Sequence, residues 1–229
     1  MADVAAHWDG IYSTKASDEV SWFQDEPRTS LRLLGRWAPP PASVLDVGAG
    51  TSHLVGSLLD GGWADVTILD VSVEALNRVR ARLGERAEHV SFIVSEVCSW
   101  EPERVYDAWH DRAVFHFLIQ PEDREQYVAL AAQAVAPGGV MVLATFAANG
   151  PTECSGLPTA RYGASDLARV FGPAFALEHA ESEEHSTPRG TVQSFTWAVL
   201  RRTVCEQRSL AKRVRSRSVA GARKTKILP

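Results

Sequence analysis

The stretch VLDVGAGTSHL (44–54) constrains this chain more than any other part of it. An apolar strand ends at Val47. Gly48 and Gly50 then let the backbone turn sharply, with no side chain standing between it and a ligand, before a helix opens near Ser52 or His53. A Gly-x-Gly alone is the tight strand-to-helix turn of any α/β protein. A second strand, DVTILD (65–70), ends at Asp70, twenty residues past Gly50. A carboxylate there can accept hydrogen bonds from the vicinal hydroxyls of a ribose, each charge-assisted and worth about 1.5–3 kcal/mol. Asp70 also suits a helix N-cap, a role that Ser72 fills as well.

Around this unit the chain alternates short β-rich apolar runs with helical stretches, the pattern of a parallel sheet wrapped by helices. The expected strands are SVLDVG (43–48), DVTILD (65–70), VSFIVSE (90–96), YDAWHD (106–111), GVMVLATF (139–146), FALEHAE (175–181) and VQSFTWAVL (192–200). Apolar spacing predicts helices over Val73–Leu83 and Glu125–Val135, the second broken by Pro137-Gly138-Gly139. The turn Thr187-Pro188-Arg189-Gly190 makes the last two strands an antiparallel hairpin. With 229 residues, 45% of them hydrophobic, the chain has material for one core. The expected organisation is a helical cap over 1–40, a ligand-binding domain over 41–202 and a tail over 203–229.

Charge is unevenly spread. Residues 201–229 carry +9 and the rest −13, which sum to the net −4. That basic, Ser-containing tail has little apolar periodicity to offset its ordering entropy and is expected to be disordered, a solvated extension more than a tether for nucleic acid or membrane. No basic, apolar leader opens the chain and no apolar run spans a bilayer, so a cytoplasmic location is expected. Cys98, Cys154 and Cys205, odd in number and widely spaced, suit a reducing compartment and give no metal or disulfide pattern.

Two features decide what the glycine turn holds. A dinucleotide fingerprint places a third Gly three residues past Gly50, where this chain has His53, so a nicotinamide-dependent dehydrogenase is a distant alternative. Asp46, at the tip of the first strand, is a poor neighbour for phosphate. It matches the cationic amino group or sulfonium region of S-adenosylmethionine.

VLDVGAGTS resembles motif I of the class I S-adenosylmethionine-dependent methyltransferases, and ILDVS (68–72) resembles the acidic strand end that follows it. SFIVSEV (91–97) is similar to the third-strand motif at the adenine edge, and Pro137-Gly138-Gly139 to the turn into the fifth strand. The likeness runs from about Trp8 to Arg201. It implies a Rossmann-like fold with a seven-stranded, mostly parallel sheet and a C-terminal antiparallel hairpin. It also implies a donor site made by Asp46, Gly48, Ala49, Gly50, Ser52, Asp70, Val71, Glu96 and Val97, with Ser52 standing where many members have Gly.

The acceptor side is read from YDAWHDRAVFHFL (106–118), which resembles the WDR-type segment of small-molecule methyltransferases of the thiopurine and tellurite kind. It lacks the Asn/Asp-Pro-Pro-aromatic signature of base-amine methylation and has no Pro-Cys pair, which disfavours a nucleic-acid acceptor. His110, Asp111, Arg112 and His116 lie where an acceptor nucleophile sits, and His110, Asp111 and His116 are the catalytic candidates; His185 is a further imidazole. Asp111 beside Arg112 equally suits an internal ion pair. Cys154 and Tyr162, in the Gly- and Pro-rich loop 145–162, are candidates to face the acceptor. Trp8, Tyr12, Trp22 and Phe23 resemble the aromatic part of an N-terminal cap, with Trp22 as a donor contact. The expected reaction is methyl transfer to a small molecule. A protein lysine as acceptor and a donor-binding protein without turnover are the alternatives.

Overall fold

The structure, a computed structural model, describes residues 4–204. The basic segment from Cys205 on, with the expectation of its disorder, lies outside the described residues. Among the described residues nine strands form in chain order: β1 (Val44–Val47), β2 (Val66–Asp70), β3 (Val90–Val94), β4 (Tyr106–Arg112), β5 (Val135–Phe146), β6 (Glu153–Cys154), β7 (Leu157–Pro158), β8 (Phe175–Ser186) and β9 (Val192–Arg202). Six α-helices accompany them: α1 (Val4–Thr14), α2 (Arg28–Trp37), α3 (Leu54–Asp60), α4 (Val73–Leu83), α5 (Pro121–Ala134) and α6 (Ala164–Phe171).

All seven expected strands join one sheet in the order β3-β2-β1-β4-β5-β9-β8, while β6 and β7 make a small separate hairpin. Every neighbour pair from β3 to β5 is parallel; β9 alone runs against both β5 and β8. All residues of β1 and β2 are buried, as strands covered on both faces require, the polar Asp46, Thr67 and Asp70 among them. The chain first winds outward from β1 through β2 to β3, then crosses back to lay β4 on the other side of β1. A crevice opens at the C-terminal ends of β1 and β4, where the winding reverses.

Two apolar clusters flank the sheet. On one face Leu33 and Leu34 of α2, Leu54 and Leu58 of α3 and Leu76 and Val79 of α4 pack on Val44, Ala108 and Val142. On the other, Tyr127 and Leu130 of α5 and Leu167 and Phe171 of α6 pack on Leu45, Trp109 and Leu143. Each such side chain contributes about 1.5–3 kcal/mol on burial. Helix α4 has the predicted bounds, with Ser72 Oγ accepting from Ala75 N as its N-cap. Helix α5 starts at Pro121, earlier than the periodicity predicted, because a proline at N1 is preset for the first turn.

Helix α2, within the segment expected as a cap, buries Leu33 and Leu34 against the sheet. Two expectations are corrected. Pro137-Gly138-Gly139 does not precede β5 but interrupts it: Val135 pairs with Tyr106 and Val140 with Ala108, leaving Ala136–Gly139 as a bulge. A Cβ at Gly139 would stand 2.8 Å from the Asp107 carbonyl oxygen, which is why the bulge needs glycine there. Strand β8 continues to Ser186, beyond its expected end, because its charged residues pair along β9 at an exposed sheet edge. Among the described residues no helix is long and apolar enough to cross a membrane.

Candidate active site

A cleft occupies the crevice between β1 and β4. Its floor includes Asp46, Gly48, Ala49, Ser52, His110 and Arg112, and the strap 17–27, with Trp22 and Phe23, closes over it. Gly48 and Gly50 have positive φ angles of 63° and 52°, the left-handed region that favours glycine. A Cβ on Gly48 would overlap Val114, and one on Gly50 would overlap the Tyr12 hydroxyl. Arg82 of α4 donates to the carbonyl oxygens of Thr51 and Ser52 and pins the far end of the turn.

Asp46 is buried at the tip of β1, opposite His110 in the register of β4. His110 donates from Nδ1 to Asp46 Oδ1 at 2.7 Å and accepts at Nε2 from Ser30 Oγ at 2.9 Å. Ser30 belongs to α2, so a helix ahead of the sheet is tied by two bonds to the carboxylate. Asp70 accepts from Gly50 N at 2.7 Å and from Ser72 N at 2.8 Å. Burial raises its pKa to about 6, and these two amides oppose the rise. Asp70 does not line the cleft: Tyr12 of α1 lies over Gly50 beside it.

Helix α1 is docked by Asp9, which accepts from Ser72 Oγ at 2.6 Å and from Glu74 N at 3.2 Å. Its aromatic side chains form one cluster: Trp8 stands 5.8 Å from Trp22 and 5.4 Å from Phe117, and Tyr12 6.3 Å from Trp22. Glu96 is exposed and Val97 buried in the turn after β3, next in line along the sheet edge, while Val71 is half-buried.

Strand alternation sorts the residues of β4. His110 and Arg112 face the α2 side, where Arg112 lies 5.1 Å from the Phe195 ring and His110 6.2 Å from Trp197. Asp111 faces the other cluster, where it accepts from Val114 N, Phe115 N and the Tyr127 hydroxyl. It therefore neither lines the cleft nor pairs with Arg112. His116 is sealed against Phe117 and Phe146 away from the cleft; burial and the charge of Arg112 depress its pKa to about 3. It stays a neutral imidazole outside the site. Cys154 packs in the core beside Ser155, Ser21 and Arg112, and Tyr162 packs on Phe115. His185 is held by Ser21 O at 2.8 Å.

Ser30 and Asp9 escaped the sequence reading. A serine in RTSLRLL reads only as a polar position near the start of a helix, and an acidic residue in α1 says nothing of the second helix it caps. The donor set fits a cationic amino-acid end: a cradle that a Cβ would fill, beside a buried carboxylate held in place by an imidazole. Among the described residues no cluster of three or more His, Cys, Asp or Glu is placed to hold a metal.

Residues 44–139 match the sequence profile of the methyltransferase domain. The match gives a methyltransferase domain over residues 44–139, on the parallel strands that frame the crevice. Over 123 residues the chain is 24% identical to the mouse eEF1A lysine and N-terminal methyltransferase, covering 52% of this chain and 17% of that protein. It thus spans a small part of that relative's length. Zebrafish EEF1A lysine methyltransferase 2 is 25% identical over 190 residues, 75% of this chain and 74% of its own. The solved structure of Burkholderia thailandensis 1,6-didemethyltoxoflavin-N1-methyltransferase, with its acceptor and S-adenosylhomocysteine bound, has the same fold. It superposes with a TM-score of 0.64 at 21% identity, covering 88% of this chain and 85% of that one.

Proposed function

We propose that this chain transfers the methyl group of S-adenosylmethionine to a small-molecule nucleophile. One observation carries the reading: Asp46 and the Gly48–Gly50 turn sit at the reversal point of the sheet, under a strap whose Trp22 and Phe23 leave a narrow covered cleft. When bound, the donor supplies a methyl group on a sulfonium, open to in-line displacement. In this reading Asp46 takes the donor's ammonium group, and Gly48, Ala49, Gly50 and Ser52 close on its amino-acid end. Asp70 and Val71 hold the ribose once Tyr12 turns aside, Glu96 and Val97 meet the adenine edge, and Trp22 offers an aromatic face to the sulfonium.

Alignment and exclusion of water lower the barrier, an effect worth about 7–11 kcal/mol where reacting groups are well placed. Asp111 and His116 stand outside the cleft and both His110 nitrogens are engaged, so in this reading the proton released by an amine or hydroxyl acceptor passes to solvent. We place the protein in the cytoplasm, in keeping with the free thiols of Cys98 and Cys154. The absence of a base-amine or Pro-Cys signature in residues 106–118 supports a small acceptor over a nucleic acid.

The likeness to lysine methyltransferases over three quarters of the chain favours a second reading, a lysine side chain inserted as the acceptor. A donor-binding protein without turnover is the third. Incubation with methyl-labelled donor and a size-fractionated cell extract decides among them. Label passing a filter supports the small acceptor, retained label the lysine, and donor bound with no label transferred the third reading.

A further inference from the structure

Arg112 closes β4 and lines the cleft with Asp46 and Ser30. Its Nη1 donates to Trp22 O at 2.9 Å. Its Nε and Nη2 are shut off from solvent and have no hydrogen-bond partner among the described residues. These two nitrogens share one edge of the guanidinium, the edge that meets both oxygens of a carboxylate side-on.

The groups packed around Arg112 do not fill that role. The Glu183 carboxylate is engaged by Gln24 Nε2 and Trp197 Nε1. Nearby His116 is a neutral imidazole, His185 donates from Nε2 to Ser21 O, and burial raises the pKa of the Cys154 thiol. The remaining contact is the face of Phe195. Burial brings the Arg112 pKa down to about 10, so the group is still a cation at neutral pH. A buried cation with two idle donors is among the costlier arrangements a core can hold, and a ligand anion relieves it.

We infer that Arg112 is a carboxylate-binding residue of the cleft, taking a ligand carboxylate side-on through Nε and Nη2. The inference rests on the methyl-transfer reading of this cleft. The carboxylate has two possible sources there: the amino-acid end of the donor, or the acceptor. In either case the strap lifts for docking, since Trp22 lies against the same guanidinium.

Calorimetry on the full chain compares S-adenosylhomocysteine with its decarboxylated analogue. A carboxylate from the donor side makes the intact ligand bind at least about tenfold tighter, a difference that Arg112→Met removes and Arg112→Lys partly keeps. A carboxylate from the acceptor side leaves S-adenosylhomocysteine affinity unchanged in both variants. In that case ligand-observed NMR of the S-adenosylhomocysteine-loaded protein, with matched aryl acids and their amides, shows the acids bound several-fold tighter in the wild type and not in Arg112→Met. Absence of both preferences in the wild type, which needs no variant to fold, overturns the inference, as does a preference that survives in a folded Arg112→Met. Failure of the wild type to bind S-adenosylhomocysteine overturns the methyl-transfer reading instead, and the acid and amide comparison on the unloaded protein then tests carboxylate docking by itself.

Discussion

His110 and Asp46 face each other across adjacent strands, Nδ1 to Oδ1 at 2.7 Å, both nearly sealed from solvent. Ser30 extends the pair into α2, so the carboxylate proposed for the donor's ammonium takes its orientation from a helix that precedes the sheet. We expect Ser30→Ala to lower unfolding free energy by about 1–3 kcal/mol, because His110 Nε2 loses its donor in a dry place. Affinity for S-adenosylhomocysteine should fall several-fold. Urea titration and calorimetry measure the two effects, and a variant as stable and as tight as the wild type would show that the relay positions nothing.

Asp70 does two jobs in one place. Its oxygens tie the glycine turn to the start of α4 through Gly50 N and Ser72 N, and we assign the ribose to the same carboxylate. Asp70→Ala should therefore weaken donor binding by at least about tenfold and also cost about 1–3 kcal/mol of stability. Unchanged calorimetric affinity in a folded variant would mean that the ribose is held elsewhere.

Two glycines separate a conformational need from mere sequence position. Gly50 has φ of 52° and a Cβ on it would run into the Tyr12 hydroxyl, so Gly50→Ala should destabilise by about 1–3 kcal/mol and unseat α1. Gly10 lies in α1 with nothing within 4 Å of its Cβ direction, and Gly10→Ala should leave stability equal or raise it by up to about 1 kcal/mol. Thermal melts of the pair, with Trp fluorescence to follow the Trp8 and Trp22 cluster, check the contrast.

His116 gives the fold an acid-sensitive point. The unfolded chain protonates this imidazole below about pH 6.5, whereas the folded chain holds it neutral down to about 3. The unfolded state therefore binds the extra proton between those values, and stability is lost as pH falls from about 6.5 toward 3, by at most about 1.4 kcal/mol per unit. His116→Phe, which suits the surrounding Phe117 and Phe146, should flatten that part of the profile. Denaturant midpoints of both proteins between pH 7 and pH 4 test this, and parallel slopes would contradict it.

The sheet was legible because its strands obey the simplest rules. β1 and β2 are mostly apolar since both faces are covered, and α4 carries its cap and its buried stripe in adjacent residues. The bulge in β5 was not, because a Pro-Gly-Gly triplet reads as a turn whether or not pairing resumes beyond it. The glycine turn after β1 was visible because two glycines follow a buried strand. Asp111 was misjudged for a reason of parity. It is polar, at a strand tip and next to two cleft residues, but alternation sends it through the sheet to Tyr127. The Ser30 bond joins residues 80 apart in sequence, and no local pattern encodes such a contact.

Because β9 alone runs against its neighbours, the turn that joins it to β8 comes back to the same rim of the sheet as the strand tips, beside Trp22 and Ser155. Lengthening or shortening that loop would reshape the surface beside Trp22 and Ser155 without touching the ladder between β1 and β2. A scaffold built this way lets that rim change shape while the crevice between β1 and β4 keeps its lining.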